Sequence, residues 1–131
     1  MEDLLNAQFR TFTKVITDIV AGGNLIWTTY YDKFSFKDQG VVDLVRVEDG
    51  GSGITLVKET CLMTGVYRKP SAGYYHVEIE FRNENHERLK IYCGQLVGHD
   101  KLICQVIINS KFSNKNPYES EIFARMEITS V

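Results

Sequence analysis

The sequence predicts a mainly β protein, in which an N-terminal amphipathic helix precedes an antiparallel meander of seven or eight strands that forms a barrel or strongly curled sheet. Apolar residues recur at helical spacing over residues 1–22, and an alternating pattern follows over residues 24–131. The connections between alternating segments are too short for the crossovers that parallel strands need. The 131 residues are therefore predicted to form a single domain, 1–131.

The helix is predicted from an apolar stripe that continues over about five turns. Glu2 and Asp3 carry negative charge where a helix dipole favours it, and Gly22-Gly23-Asn24 supplies residues that end helices. The stripe consists of Leu4, Leu5, Phe9, Phe12, Val15, Ile16, Ile19 and Val20.

The strands are predicted from alternating segments that turn-forming residues separate. They cover about residues 25–36, 41–48, 54–60, 61–68, 74–83, 88–97, 101–112 and 119–129. Residues 54–68 could instead be one long strand with a bulge, because Gly65 is the one breaker inside them. A meander of this length removes its exposed edges by curling or closing.

In strand number and order this arrangement is similar to calycin-like barrels, the group that contains lipocalins, fatty-acid-binding proteins and avidin-type barrels. No residue motif of those families is matched, so the resemblance implies only the outline of the fold.

Two strands set the predicted orientation of the sheet. Val77, Ile79 and Phe81 alternate with polar residues and are expected to face inward, and so are Ile122 and Ala124 of the last strand. Strand 101–112 is apolar on both sides, which predicts a second cover, either the N-terminal helix or a partner subunit. The residues predicted for such an interface are Ile103, Ile107 and Phe123.

A ligand pocket is the other reading of the strand residues. Trp27 and Tyr31 combine aromatic area with polar groups, although core packing is the stronger explanation of such residues in a strand. One face of strand 41–48 must carry a charge, which is Asp43 on one face or Arg46 on the other. The pocket residues predicted in this way are Trp27, Tyr31, Asp43 and Gln95.

No catalytic residue, metal site or cofactor is predicted. The three histidines and three cysteines show no spacing typical of a nucleophile with its base, or of a zinc site. The cysteines are expected to be reduced packing residues. Cys93 would face Cys104 across a two-residue turn, or Gln105 if the turn is one residue longer.

The composition of the chain limits the classes of partner that it is expected to bind. A formal net charge of −2 argues against nucleic acid, and no segment has the length and apolar character of a membrane span or a signal peptide. We therefore predict a cytoplasmic, non-catalytic binding or interaction domain. It would form a homo-oligomer or bind a protein partner, and it could hold a small apolar ligand. The alternatives are an isomerase- or cyclase-type enzyme working in the barrel mouth, with Asp43 and a tyrosine, and a structural assembly subunit.

Overall fold

The computed structural model describes residues 4–19, 22–23, 25–49, 57–69, 76–109, 111 and 118–126. In these residues the chain forms nine β-strands and no α-helix. The strands are β1 (Gln8–Arg10), β2 (Lys14–Ile19), β3 (Leu25–Phe36), β4 (Val41–Asp49), β5 (Val57–Arg68), β6 (His76–Arg82), β7 (Arg88–Val97), β8 (Lys101–Ile108) and β9 (Tyr118–Arg125). A 3-10 turn, Asp38–Gly40, joins β3 to β4.

The strands close into a barrel. From β3 onward each strand pairs antiparallel with the next, as the predicted meander requires. β1 completes the ring, because it pairs through Phe9 with Phe34 of β3 on one side and with Arg125 of β9 on the other. Eight strands thus form a closed antiparallel barrel, and β2 is a ninth strand paired with β3 alone. The predicted antiparallel barrel is confirmed.

The predicted helix over residues 1–22 is wrong. Residues 4–6 form a turn, and β1 and β2 follow it, while residues 1–3 and 20–21 lie outside the described residues. The segment 11–19 (TFTKVITDI) is rich in threonine, valine and isoleucine, which favour strands, and the edges of β3 and β9 need a partner. A helix would have buried the stripe that contains Phe12, Val15 and Ile19, yet all three side chains are exposed.

β1 and β2 are two halves of one long strand that a bulge interrupts. Arg10 pairs with Lys33 and Lys14 with Tyr30, so the β1–β2 side holds one residue more than β3 over this stretch. Thr11 fixes the bulge, since its backbone N–H donates to the Asp32 carbonyl (2.8 Å) and its hydroxyl accepts the Asp32 N–H (3.1 Å). Because bulges bend strands, β2 leaves the line of β1.

The predicted strands 54–60 and 61–68 are one strand in the part that the structure describes. β5 runs from Val57 to Arg68, and residues 54–56 lie outside the described residues. The long-strand alternative is therefore the right one. Its irregularity lies at Leu62, because Leu44 pairs with Met63 and Val45 pairs with Cys61.

The inward faces follow strict alternation. Val77, Ile79 and Phe81 are buried, as predicted. In β9 the predicted orientation is reversed, since Phe123 is buried whereas Ile122 and Ala124 face outward and are exposed. One phenylalanine that fills the barrel centre buries more apolar area than the isoleucine and alanine beside it, and this difference sets the register.

Candidate functional site

The interior of the barrel is packed with aromatic rings. The Phe34 ring centroid lies 4.4 Å from that of Phe123, 4.9 Å from that of Tyr92 and 6.3 Å from that of Phe81. Burial raises the pKa of the Tyr92 hydroxyl, which reflects how dry this level of the barrel is. The middle of the described barrel is therefore filled by side chains. A barrel of eight strands is narrow enough for side chains alone to fill its interior.

The pocket residues predicted from the sequence all lie on the outside of the barrel. Because Phe34 and Phe36 point inward, the alternation of β3 turns Trp27 and Tyr31 outward. Trp27 is 50% exposed. The Tyr31 ring is covered by a guanidinium, with the Arg10 Cζ atom 3.6 Å from its centroid.

Asp43 also points outward and is fully engaged there. Its carboxylate lies 2.6 Å from the Lys37 Nζ atom and accepts a hydrogen bond from the Thr64 hydroxyl at 2.7 Å. These two hydrogen bonds lower the pKa of Asp43. The predicted alternative applies instead: Arg46 carries the charge on the inward side of β4. The enzyme alternative required Asp43 to act in the barrel mouth, whereas its carboxylate points outward and is paired with Lys37.

Arg46 belongs to a set of ion pairs, the charged end, formed by Lys14, Asp32, Arg46 and Glu121. Arg46 Nε and Nη2 donate to the two Asp32 carboxylate oxygens at 2.9 and 3.2 Å, and the Arg46 Cζ atom lies 4.4 Å from the Tyr30 ring centroid. The hydrogen bonds that Arg46 donates to Asp32 raise the pKa of Arg46.

Lys14 forms the second pair of the charged end, with its Nζ atom 3.1 Å from the Glu121 Oε1 atom. Burial lowers the pKa of Lys14, but the hydrogen bond and charge of Glu121 outweigh it and the pKa is raised. No buried side-chain nitrogen or oxygen of the described residues lacks a hydrogen-bond partner. The charged end therefore satisfies itself, as a structural network does.

Gln95 lies on the outside of β7 beside a predicted interface residue. It pairs in register with Ile103 of β8 on one side and with His76 of β6 on the other. A shallow groove of about 380 Å³ follows this row of side chains and is also lined by Cys93, Glu78 and Gln105. The structure thus brings Gln95 together with Ile103, and separates it from the strands that carry Trp27, Tyr31 and Asp43.

The outer side of β7, β8 and β9 is apolar and almost without charge. Ile103 and Ile107 are 41% and 40% exposed, and Ile122 on the adjacent strand is 45% exposed. We call this surface the apolar face; its described outward residues are Leu89, Ile91, Cys93, Gln95, Val97, Lys101, Ile103, Gln105, Ile107, Ser120, Ile122 and Ala124. Lys101, at one end of β8, is the single charged residue in that set.

Phe123 does not belong to the apolar face. It was predicted as an interface residue, but it is 1% exposed and packs against Phe34 inside the barrel. The residues that the sequence analysis missed are Ile122 and Val97, both exposed on the apolar face. The alternation of β9 carried the relevant signal, but it was assigned to the wrong side.

The neighbouring outer surface is charged and paired, in contrast to the apolar face. On β6 the Glu80 carboxylate is buried, with Arg82 Nε 2.6 Å and Arg88 Nε 3.1 Å from the same oxygen. Arg68 bridges to Glu78 at 2.5 Å beside them. The change from paired charges on β5 and β6 to apolar side chains on β8 and β9 marks the edge of the apolar face.

The three cysteines divide into two environments. Cys93 pairs with Gln105, because the β7–β8 turn holds three residues, so the longer-turn alternative is confirmed. Cys104 points inward and is buried, which raises the pKa of its thiol to about 12. Cys61 and Cys93 are exposed, contrary to the expectation that all three pack as apolar residues.

A gap in the strand pairing lies between β2 and β9. β1 pairs with β9 only at Phe9 with Arg125 and Arg10 with Ala124. Beyond the Thr11 bulge, β2 and the first residues of β9 separate around a groove of about 570 Å³. We call this groove the seam; its lining residues are Thr11, Phe12, Lys14, Glu119, Ser120, Glu121 and Ile122.

Comparison with protein families, with curated proteins and with solved structures finds no significant match to the chain. Within the described ranges no cluster of three or more histidine, cysteine, aspartate or glutamate residues could hold a metal ion. The same residues include no helix with the length and apolar character needed to cross a membrane.

Proposed function

We propose that the protein is a self-associating interaction domain, in which two copies pack through the apolar face. The observation that carries this proposal is the run of exposed apolar side chains over three adjacent strands, with Ile103, Ile107 and Ile122 at its centre. Contiguous apolar surface of this kind is rare on soluble monomers and typically marks a contact site.

The charge distribution favours a second copy as the partner. A two-fold contact sets the same surface against itself, so every charge near the axis meets its own kind. The apolar face carries one charge, Lys101, and that charge lies at the end of β8 rather than among the isoleucines. A surface that is nearly free of charge at its centre can therefore face its own copy without repulsion.

The shape of the surface also suits this contact. Antiparallel sheets pack face to face when the side chains of each interdigitate with those of the other. Alternate outward residues along β8 are large at Ile103 and Ile107, with the flexible Gln105 between them. Ridges of this kind fit the spaces between those of a second sheet.

The proposal is tested by measuring mass in solution. We expect sedimentation equilibrium of the full chain to give a dimer and Ile103→Lys or Ile107→Lys to weaken association by at least ~100-fold, because each change buries like charges at the contact. Val66→Lys is the matched control, since Val66 is an exposed apolar strand residue on β5, outside the apolar face.

Circular dichroism and thermal melting of each variant verify that it folds. A monomeric full chain at concentrations of about 100 μM, where weak contacts are populated, would contradict the proposal. Equal dissociation by Val66→Lys would contradict the assignment of the contact to the apolar face.

A further inference from the structure

Along the seam, one side of β9 has no strand neighbour among the residues that the structure describes. Residues from Tyr118 to Phe123 pair with β8, while the partner that β1 provides reaches only Ala124 and Arg125. β2, which continues the β1 chain, pairs with β3 instead, because the Thr11 bulge directs it away from β9. Within the described part of the barrel, a strand position beside β9, in line with β1, is therefore open.

Such a position accepts an extended chain. An open strand edge offers backbone N–H and C=O groups in a row. An added strand can form hydrogen bonds with these groups without a change in the fold. Barrels normally remove their edges by closure. Here closure spans two residue pairs, and the rest of the β9 edge borders a groove.

The side chains that line the seam define what could occupy it. Glu119 and Glu121 lie on the inward side of β9, since they alternate with the outward Ile122, and the seam offers them one cation, Lys14. Glu119 forms no ion pair with any residue in the described ranges. Phe12, 76% exposed, and Ile122 add apolar surface on the outer side.

We propose that the seam binds an extended peptide segment of a partner protein, which adds as a strand to the free edge of β9. Its alternate residues are basic and apolar. The basic side chains face Glu119, which no cation of the described residues pairs, beside the pair of Glu121 with Lys14, and the apolar side chains face Phe12 and Ile122. Backbone hydrogen bonds supply affinity, and the excess of carboxylate over cation selects the charge pattern. This contact goes beyond the proposed self-association, and the seam shares only its outer rim, Ser120 and Ile122, with the apolar face.

The test uses a defined probe, a fluorescein-labelled, end-blocked hexapeptide of alternating lysine and valine, titrated into the full chain and followed by fluorescence anisotropy. We expect saturable binding, together with slower hydrogen exchange at the amides of residues 118–123. A peptide with glutamate in place of lysine should bind at least ~10-fold more weakly, because like charges then meet in the seam. A peptide with N-methylated backbone should lose binding to a similar extent, since its donors are removed.

Variants of the chain locate the contact. Glu119→Lys should weaken peptide binding at least ~10-fold, whereas Glu84→Lys, the same charge change in the exposed β6–β7 turn, should leave it within about two-fold. Ile103→Lys should not weaken peptide binding, because Ile103 lies outside the seam, so that failure of this proposal and failure of the proposed self-association can be told apart.

Three outcomes would overturn the proposal. Absence of saturable binding is the first. Equal binding of the N-methylated peptide is the second, because it would show adsorption by charge alone. The third is that the peptide dissociates a dimer which Ile103→Lys leaves intact, because a second copy would then occupy the seam.

Discussion

Gly65 shows how tightly the barrel wall and its filling meet. A side-chain carbon at this position would overlap the Glu80 carbonyl oxygen and would lie 2.7 Å from the Phe81 Cδ1 atom. The Phe81 ring thus rests directly on the backbone of β5. Glycine is required here because of this close approach, and not because of its backbone angles.

Gly65→Ala should therefore destabilise the fold by roughly 2–3 kcal/mol, because the new methyl group forces Phe81 and the β6 backbone to shift. Urea denaturation measures this loss. Val66→Ala, at the adjacent exposed position, should change the free energy of unfolding by less than ~1 kcal/mol. A Gly65→Ala variant as stable as the natural chain would show that the Phe81 contact is looser than described.

Cys104 makes stability depend on alkaline pH. The unfolded thiol ionises near the ordinary value of 9.0, whereas burial raises the folded pKa to about 12. Unfolding therefore releases a proton above pH 9, and stability falls as the pH rises through that range. Cys93, whose pKa burial also raises, contributes in the same direction.

Between pH 8 and pH 10 the Cys104 thiol should cost the fold about 1 kcal/mol. Cys104→Ala removes this contribution. The free energy of unfolding of the variant, measured with urea, should therefore fall less between pH 8 and pH 10, although it is lower at pH 8 because of the cavity. An identical pH dependence in both proteins would contradict a buried, neutral thiol.

At the scale of strands, much of the fold could be predicted from turn chemistry and alternation. Strands β3, β4 and β7 lie within a residue or two of their predicted bounds, because glycine- and asparagine-rich turns flank long alternating runs. Residues 4–19 were mispredicted because the apolar spacing there fits a helix, while the decisive factor is non-local: β3 and β9 pair with the strand that forms between them.

The orientation of β9 and the position of the seam were beyond sequence reasoning for a related reason. From the local sequence, either Ile122 or Phe123 could face inward. The space at the barrel centre, which Phe123 fills, determines the orientation. Likewise, no local pattern marks Thr11 as the residue that fixes the bulge. Its role exists only because Asp32 lies across from it.

The Thr11 bulge should control β2 as a unit. Thr11→Val keeps the branched shape but removes the hydroxyl that accepts the Asp32 N–H, at a cost of roughly 1 kcal/mol. Hydrogen exchange should then quicken along Lys14–Ile19 while β8 stays protected. Uniform acceleration in both strands would instead show that β2 unfolds only with the whole barrel.

At the scale of the whole molecule, the aromatic core and the charged end leave no open ligand cavity in the middle of the described barrel. The rings of Phe34, Tyr92 and Phe123 occupy the space in which a barrel would hold a ligand. The charged groups next to this space are already paired, Lys14 with Glu121 and Arg46 with Asp32. Both contacts that we propose, at the apolar face and at the seam, therefore lie on the outer surface and meet at Ser120 and Ile122.

Closure through β1 and β9 also sets an order of events during synthesis. Phe9 leaves the ribosome well before its partner Arg125, because 115 residues lie between them in the chain. The meander from β3 to β8 can pair strand by strand as it appears, whereas the ring must wait for β9. Until then the outer edges of β1 and β8 are both unpaired. These edges can pair with strands of other copies of the chain that are being synthesised on the same mRNA.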